Sequence, residues 1–129
     1  MKAYLIDPFS ECVTEVDYSG NYKDIYKLIK AELFDVVYIN DKDCIYVDDE
    51  GLYKNNQAFF MIDGSHPLAG YGLVLGTDDE GASISPEASL QSIRDRVKFV
   101  EVDQRMFLEW KTMDGKNARD CLETNNTKN

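Results

Sequence analysis

The sequence predicts an α+β fold: a mainly antiparallel sheet of short, hairpin-linked strands with two helices packed on one side of it. Three observations carry that expectation. Six or seven short segments alternate or are rich in β-branched and aromatic residues, the connections between them are hairpin-length, and only two stretches have helical periodicity. Strands seldom alternate with helices along the chain, which disfavours an all-parallel, doubly wound sheet.

Lys2 to Asp7 opens the chain as a strand, with Ala3 and Leu5 on one side and Tyr4 and Ile6 on the other. Asp7-Pro8 ends it, because proline has no N–H and pushes its predecessor away from helical geometry. Glu11 to Asp17 alternates again, so the two segments form a hairpin. Ser19-Gly20-Asn21 supplies turn and cap residues for a helix over Tyr22 to Leu33, whose apolar stripe is Tyr22, Ile25, Leu28, Ile29 and Leu33. Phe34 to Asn40 and Cys44 to Val47 are strands, joined through the turn chemistry of Asn40-Asp41-Lys42-Asp43.

Asp48-Asp49-Glu50-Gly51 is the next turn, and Leu52 to Lys54 is a brief strand interrupted by Asn55-Asn56. Ala58 to Asp63 is a strand, Ser65-His66-Pro67 a loop, and Tyr71 to Gly76 a further strand. Gly70-Tyr71-Gly72 has the look of a bulge or a place where another backbone comes close. Thr77 to Gly81 is a turn. Ser85-Pro86-Glu87 then reads as the start of the second helix, with a capping serine, a proline at the first position and an acid at the positive end of the dipole. Its stripe is Leu90, Ile93 and Val97, and Val97 to Val102 returns to strand. Met106, Phe107, Leu108 and Trp110 fit neither period, and Asp114 to Asn129 has little to bury. The expected organisation is a domain over 1–102 and a C-terminal extension over 103–129 with a frayed tail.

At 129 residues the chain has the size of one domain, and 43% hydrophobic residues can build a core. Fourteen Lys and Arg against 24 Asp and Glu leave a net charge of −10, the wrong sign for a phosphate-backbone binder. The opening apolar run is too short for a signal peptide, and no stretch approaches the roughly 18 apolar residues of a membrane span. Cys12, Cys44 and Cys121 are odd in number and widely spaced, as reduced thiols are, so a cytoplasmic location is expected.

Tests for chemistry return little. Asp-Asp-Glu-Gly occurs twice, at Asp48–Gly51 and Asp78–Gly81, yet neither turn fits a calcium loop. Counted from Asp41 the sixth and twelfth positions are Tyr46 and Leu52, and from Asp78 they are Ser83 and Ser89. His66 is the sole histidine; a nucleophilic site would have to pair it with Cys12 or Cys44, and no spacing identifies an orienting partner. No Cys-x-x-Cys pair suggests zinc, and the glycines near Gly72 form no phosphate fingerprint. The eight tyrosines, all between Tyr4 and Tyr71, suit core packing or a protein-binding face.

From Tyr46 onward the string carrying Asp49-Glu50-Gly51-Leu52, Asn56, Ala58, Pro67-Leu68-Ala69-Gly70, Leu73-Val74, Gly76 and Asp79-Glu80-Gly81 resembles a small domain-of-unknown-function family of bacteriophages, plasmids and accessory bacterial genomes. The opening strand and the helix at 22–33 fit the same layout, and the chain beyond Val102 exceeds it. The resemblance implies a phage or mobile-element accessory protein and supplies no catalytic residues.

The leading expectation is therefore a non-enzymatic, acidic protein-binding module acting on a host or phage protein in the bacterial cytoplasm. Its candidate partner-binding groups are two acidic turns, Asp48, Asp49, Glu50 and Asp78, Asp79, Glu80. One alternative is a small-ligand or enzyme pocket near Asp63, His66 and Tyr71; another is a structural homo-oligomer such as a homodimer. No catalytic, cofactor or metal residue is assigned, and no direct nucleic-acid contact or membrane association is expected.

Overall fold

A computed structural model describes residues 1–50 and 58–101. Among the described residues nine strands and two helices follow in the order β1 (Lys2–Asp7), β2 (Cys12–Asp17), α1 (Lys23–Ile29), β3 (Phe34–Tyr38), β4 (Asp43–Asp48), β5 (Phe59–Ile62), β6 (Leu68–Ala69), β7 (Gly72–Thr77), β8 (Ser83–Ile84), α2 (Leu90–Arg96) and β9 (Val97–Val100). The expected strand at Leu52 to Lys54 and the extension at 103–129 lie outside the described residues.

The larger sheet runs β2-β1-β7-β4-β3, with β8 paired to β7, and every pairing in it is antiparallel. Both expected hairpins, β1–β2 and β3–β4, are present. Asp7 shapes the first turn by accepting from the amides of Phe9 and Ser10 at 3.0 and 3.1 Å. The strand read at Tyr71 to Gly76 is the sheet's centre, β7, buried on both faces from Gly72 to Gly76. A smaller antiparallel sheet, β6-β5-β9, lies outside this path.

Alternation along the central strands divides the interior in two. Tyr4, Ile6, Ile45, Val47 and Val74 face one way and pack with Phe60 and Ile62 of β5, Val97 of β9 and Ile93 of α2. Ala3, Leu73 and Leu75 face the other way and pack with Tyr18 and with Ile25 and Ile29 of α1. The helices' buried residues thus fall in clusters on opposite faces of β7, where the sequence suggested a single side. Strands with Val, Ile and Leu at successive positions have two apolar faces, and each needs its own cover.

Gly72 and Gly76 owe their identity to close approach. A Cβ on Gly72 would stand 2.8 Å from the Phe60 ring and 2.9 Å from an Ile45 methyl, so side chains, not another backbone, crowd it. At Gly76 the intruder is backbone, the Ser85 carbonyl oxygen at 2.6 Å from the position of a Cβ.

Helix α1 is shorter than its apolar stripe suggested. Lys30 takes left-handed geometry (φ 55°, ψ 49°), and the Ala31 amide bonds back to the Tyr26 carbonyl at 3.0 Å, which ends the helix. Leu33 consequently leaves the stripe and is 52% exposed; Tyr22, at the N-cap, is 58% exposed, whereas Ile25 and Ile29 are buried. Helix α2 also begins later than Ser85-Pro86-Glu87 implied. Its cap is Ser89, whose hydroxyl accepts from the Ser92 amide at 3.1 Å.

Candidate functional site

Each acidic turn is built by its first aspartate. Asp48 Oδ1 accepts the Glu50 amide at 2.9 Å, and Asp78 Oδ1 accepts the amides of Glu80 and Ala82, both at 2.9 Å. Asp49, Glu50, Asp79 and Glu80 project into solvent. The register Asp43↔Gly76 and Val47↔Gly72 sets the two turns at opposite ends of the β4–β7 pair. At ~3.4 Å per residue that is a separation on the order of 20 Å, so the six residues make two sites and not one patch.

Asp63 and Tyr71 are engaged by different groups. Asp63, in left-handed geometry (φ 51°), receives the Arg96 guanidinium through Nε at 2.9 Å and through Nη2. Those hydrogen bonds hold its carboxyl below the usual carboxylate range against an opposing effect of burial. His66 is exposed on the β5–β6 loop. Tyr71 belongs to the α1 side, its ring 5.2 Å from that of Phe9 and 5.1 Å from Lys30 Nζ. The thiol of Cys44 is buried, and burial pushes its pKa up, so little thiolate exists at neutral pH. Among the described residues no group of three or more His, Cys, Asp and Glu is placed to hold a metal ion, and no helix is long and apolar enough to cross a membrane.

Among the described residues, the most enclosed carboxylate is one the sequence hid. Asp43 is 0% exposed. Its carboxylate accepts the amides of Glu87 at 2.8 Å and Ala88 at 2.9 Å, and the Asn40 side-chain amide at 3.2 Å. Tyr4 Oη donates to the Ala88 carbonyl at 2.8 Å, and Ser85 lies against Gly76. Residues 85–88 are thus a strap fastened across one end of the sheet. The Glu87 and Ala88 amides are spent on Asp43, which is why the helix starts at Leu90. With its acceptor sites turned to the chain's own donors, Asp43 is an anchor for the fold. Asn40 and Asp43 read as turn residues because a turn is also what they make, with Asn40 Oδ1 accepting the Lys42 and Asp43 amides at 2.8 and 2.7 Å.

The surface feature with the character of a binding site lies beside α1 and β3. Rings of Tyr22, Tyr26, Phe34 and Tyr46 follow one another with centroid spacings of 6.3, 5.0 and 5.2 Å, crossing from α1 to β3 to β4. Alternation places Val36 and Tyr38 on the same face of β3 as Phe34, and Tyr38 is 67% exposed. Leu33, just before β3, is 52% exposed, and its carbonyl accepts the Asp49 amide at 3.1 Å, which ties the first acidic turn to the start of β3. Among the described residues β3 pairs with β4 alone and is the sheet edge. Asp35 Oδ1 accepts the Val36 amide at 2.8 Å and so occupies a donor on that edge. Composition flagged the tyrosines, but their convergence depends on where α1 stops.

A family model described as a domain of unknown function, DUF3846, matches residues 1–98, from the first residue into β9. The chain belongs to the DUF3846 family. This agrees with the domain-of-unknown-function resemblance read from the turns, and the match holds every strand of the larger sheet, both helices and the strap. Neither a curated protein nor a solved structure matches this DUF3846 chain.

Proposed function

We propose that this DUF3846 domain is a non-enzymatic protein-binding module of phage or mobile-element origin that engages a host or phage protein in the bacterial cytoplasm. The observation that carries the reading is the exposure of Tyr22 and Tyr38 beside a continuous series of packed rings. Large, rigid, amphipathic side chains bury much area for little lost rotamer entropy, which is why they anchor protein interfaces. The net charge of −10 favours partners with basic surfaces by steering encounter, and disfavours nucleic-acid backbones.

A pocket at Asp63, His66 and Tyr71 draws less support, since Asp63 is paired with Arg96 and Tyr71 is stacked on the α1 side. The test is affinity capture from host lysate with mass spectrometry at two ionic strengths, comparing the native chain with Tyr22→Ser/Tyr38→Ser. A discrete partner retained by the native chain and lost by the variant is the expected result. Identical capture profiles for the two proteins would remove the aromatic surface from the reading.

A further inference from the structure

We infer that β3 is a self-association edge: two copies of the chain pair antiparallel along it, about a two-fold axis at Val36, and join their larger sheets into one. This pairing is separate from the host or phage partner proposed above and does not depend on it. The ladder to β4 fixes which way the main chain of β3 points. The Ile39 amide donates to the Asp43 carbonyl at 3.0 Å, and the Leu33 carbonyl accepts the Asp49 amide at 3.1 Å. In an antiparallel ladder both polar groups of a residue point the same way, and successive residues alternate. The N–H and C=O of Phe34, Val36 and Tyr38 therefore point away from β4. In keeping with that direction, the Val36 amide is bonded to a side chain, Asp35 Oδ1, at 2.8 Å.

The segment is close to its own mirror. Leu33-Phe34-Asp35-Val36-Val37-Tyr38-Ile39 has an aliphatic residue at each end, an aromatic one inside each of those, and Val36 at the centre. Pairing about Val36 sets Phe34 opposite the second copy's Tyr38, Leu33 opposite its Ile39 and Asp35 opposite its Val37. Aromatic and β-branched cross-strand pairs stabilise a ladder. Tyr38 and Leu33, 67% and 52% exposed, both gain apolar neighbours. The two Asp35 side chains fall on a diagonal, ~7–8 Å apart, and not face to face. At the other end of the sheet path, β2 fails the same test. The Tyr18 amide bonds the Met1 carbonyl at 2.7 Å, which by the same alternation turns Val13, Glu15 and Asp17 outward. Pairing about Glu15 would set it against its own image, and the Val13 carbonyl already accepts Arg94 Nε at 3.0 Å. Asp35 restrains the pairing at β3, because its carboxylate must leave the Val36 amide before the second copy's carbonyl takes its place. A net charge of −10 on each copy also opposes approach. The dimer is accordingly weak, and salt strengthens it by screening that repulsion.

Sedimentation equilibrium of the full chain, from micromolar to millimolar concentration at low and high salt, tests the pairing. The average mass should rise with concentration towards twice that of the chain, and more steeply at high salt. Val36→Pro removes an outward amide that takes no part in the β3–β4 ladder, so the variant should fold and stay monomeric. Tyr38→Ser weakens the same pairing without touching the backbone. Asp35→Ala frees the Val36 amide and removes a charge, and should tighten association by about tenfold. Glu15→Pro makes the equivalent backbone change on β2 and should leave association within about twofold of the native chain. Far-UV spectra and urea midpoints establish that each variant is folded. A chain that stays monomeric at the highest concentration and salt overturns the inference. So does a dimer indifferent to Val36→Pro and Tyr38→Ser, or one that Glu15→Pro weakens equally. Capture of a cellular partner is a separate readout, and its failure leaves the self-association result standing.

Discussion

Removing the Asp43 carboxylate isolates what fastens the strap at 85–88. In Asp43→Ala, the amides of Glu87 and Ala88 lose acceptors at 2.8 and 2.9 Å in a part-buried setting. A buried donor left without a partner costs about 1–3 kcal/mol, so two such donors should cost about 2–6 kcal/mol. Against the ~5–15 kcal/mol that holds a domain of this kind together, that is a large fraction. Asp43→Asn keeps one acceptor oxygen but turns an NH2 group towards one of the two amides, and should cost about 1–3 kcal/mol. Urea unfolding followed by tryptophan-independent far-UV signal measures both; with m of ~1–3 kcal/mol/M, the alanine midpoint should fall on the order of 1–2 M. Hydrogen exchange at Glu87 and Ala88 should accelerate in step. The alanine variant also frees the amides that Ser85-Pro86-Glu87 is suited to cap, so backbone chemical shifts should show α2 gaining residues at its start. A stability loss below about 0.5 kcal/mol would refute the reasoning, because it would mean that the two amides find equivalent partners without Asp43.

Other perturbations probe separate contacts. Gly76→Ala should destabilise by about 1–3 kcal/mol in the same urea assay, since its Cβ would meet the Ser85 carbonyl at 2.6 Å; an unchanged midpoint would show that the strap yields freely. The Asp63–Arg96 pair depresses the folded-state pKa of Asp63, so its stabilisation is present above the unfolded carboxylate value of ~3.9 and is lost as pH falls through the folded value. Asp63 is 44% exposed, and solvent screening limits that contribution to below ~1 kcal/mol. Arg96→Gln should therefore lower stability at neutral pH, with the difference from the native chain shrinking as pH falls below the unfolded carboxylate value, as followed by urea midpoints across pH. In a Cys121→Ser background, a thiol reagent should label exposed Cys12 at once and buried Cys44 only after denaturant is added; simultaneous labelling would contradict the packing of Cys44.

The two-faced sheet bears on where function can sit. Covering the Tyr4–Val74–Ile45 face uses β5, β9 and Ile93, whereas on the other face Ile25 and Ile29 of a seven-residue helix join Leu73 and Leu75. So short a helix spans only ~10 Å at 1.5 Å per residue. Aromatic residues towards the β3 edge are consequently part-covered, and their outermost members, Tyr22 and Tyr38, reach solvent.

The sequence by itself determined what depends on neighbours in the chain. Alternation and turn residues specify the strands, the β1–β2 and β3–β4 hairpins and the turns around Asp48 and Asp78, because pleat period and Asx chemistry are local. The same local turn residues carried the family resemblance. Tertiary structure decided what depends on partners far along the chain. It set the pairing of β7 with both β1 and β4, the separation of the helices' packing onto opposite faces, and the distance between two identical acidic turns. It also took the amides of Glu87 and Ala88 for a carboxylate 44 and 45 residues away, overriding a well-formed helix start. A local signal stabilises a cap by about a kilocalorie, and a buried carboxylate with several donors outweighs it. Leu33 shows the same competition: periodicity assigns it to the helix stripe, but the chain must turn at Lys30 to enter β3, and that turn leaves it at the surface.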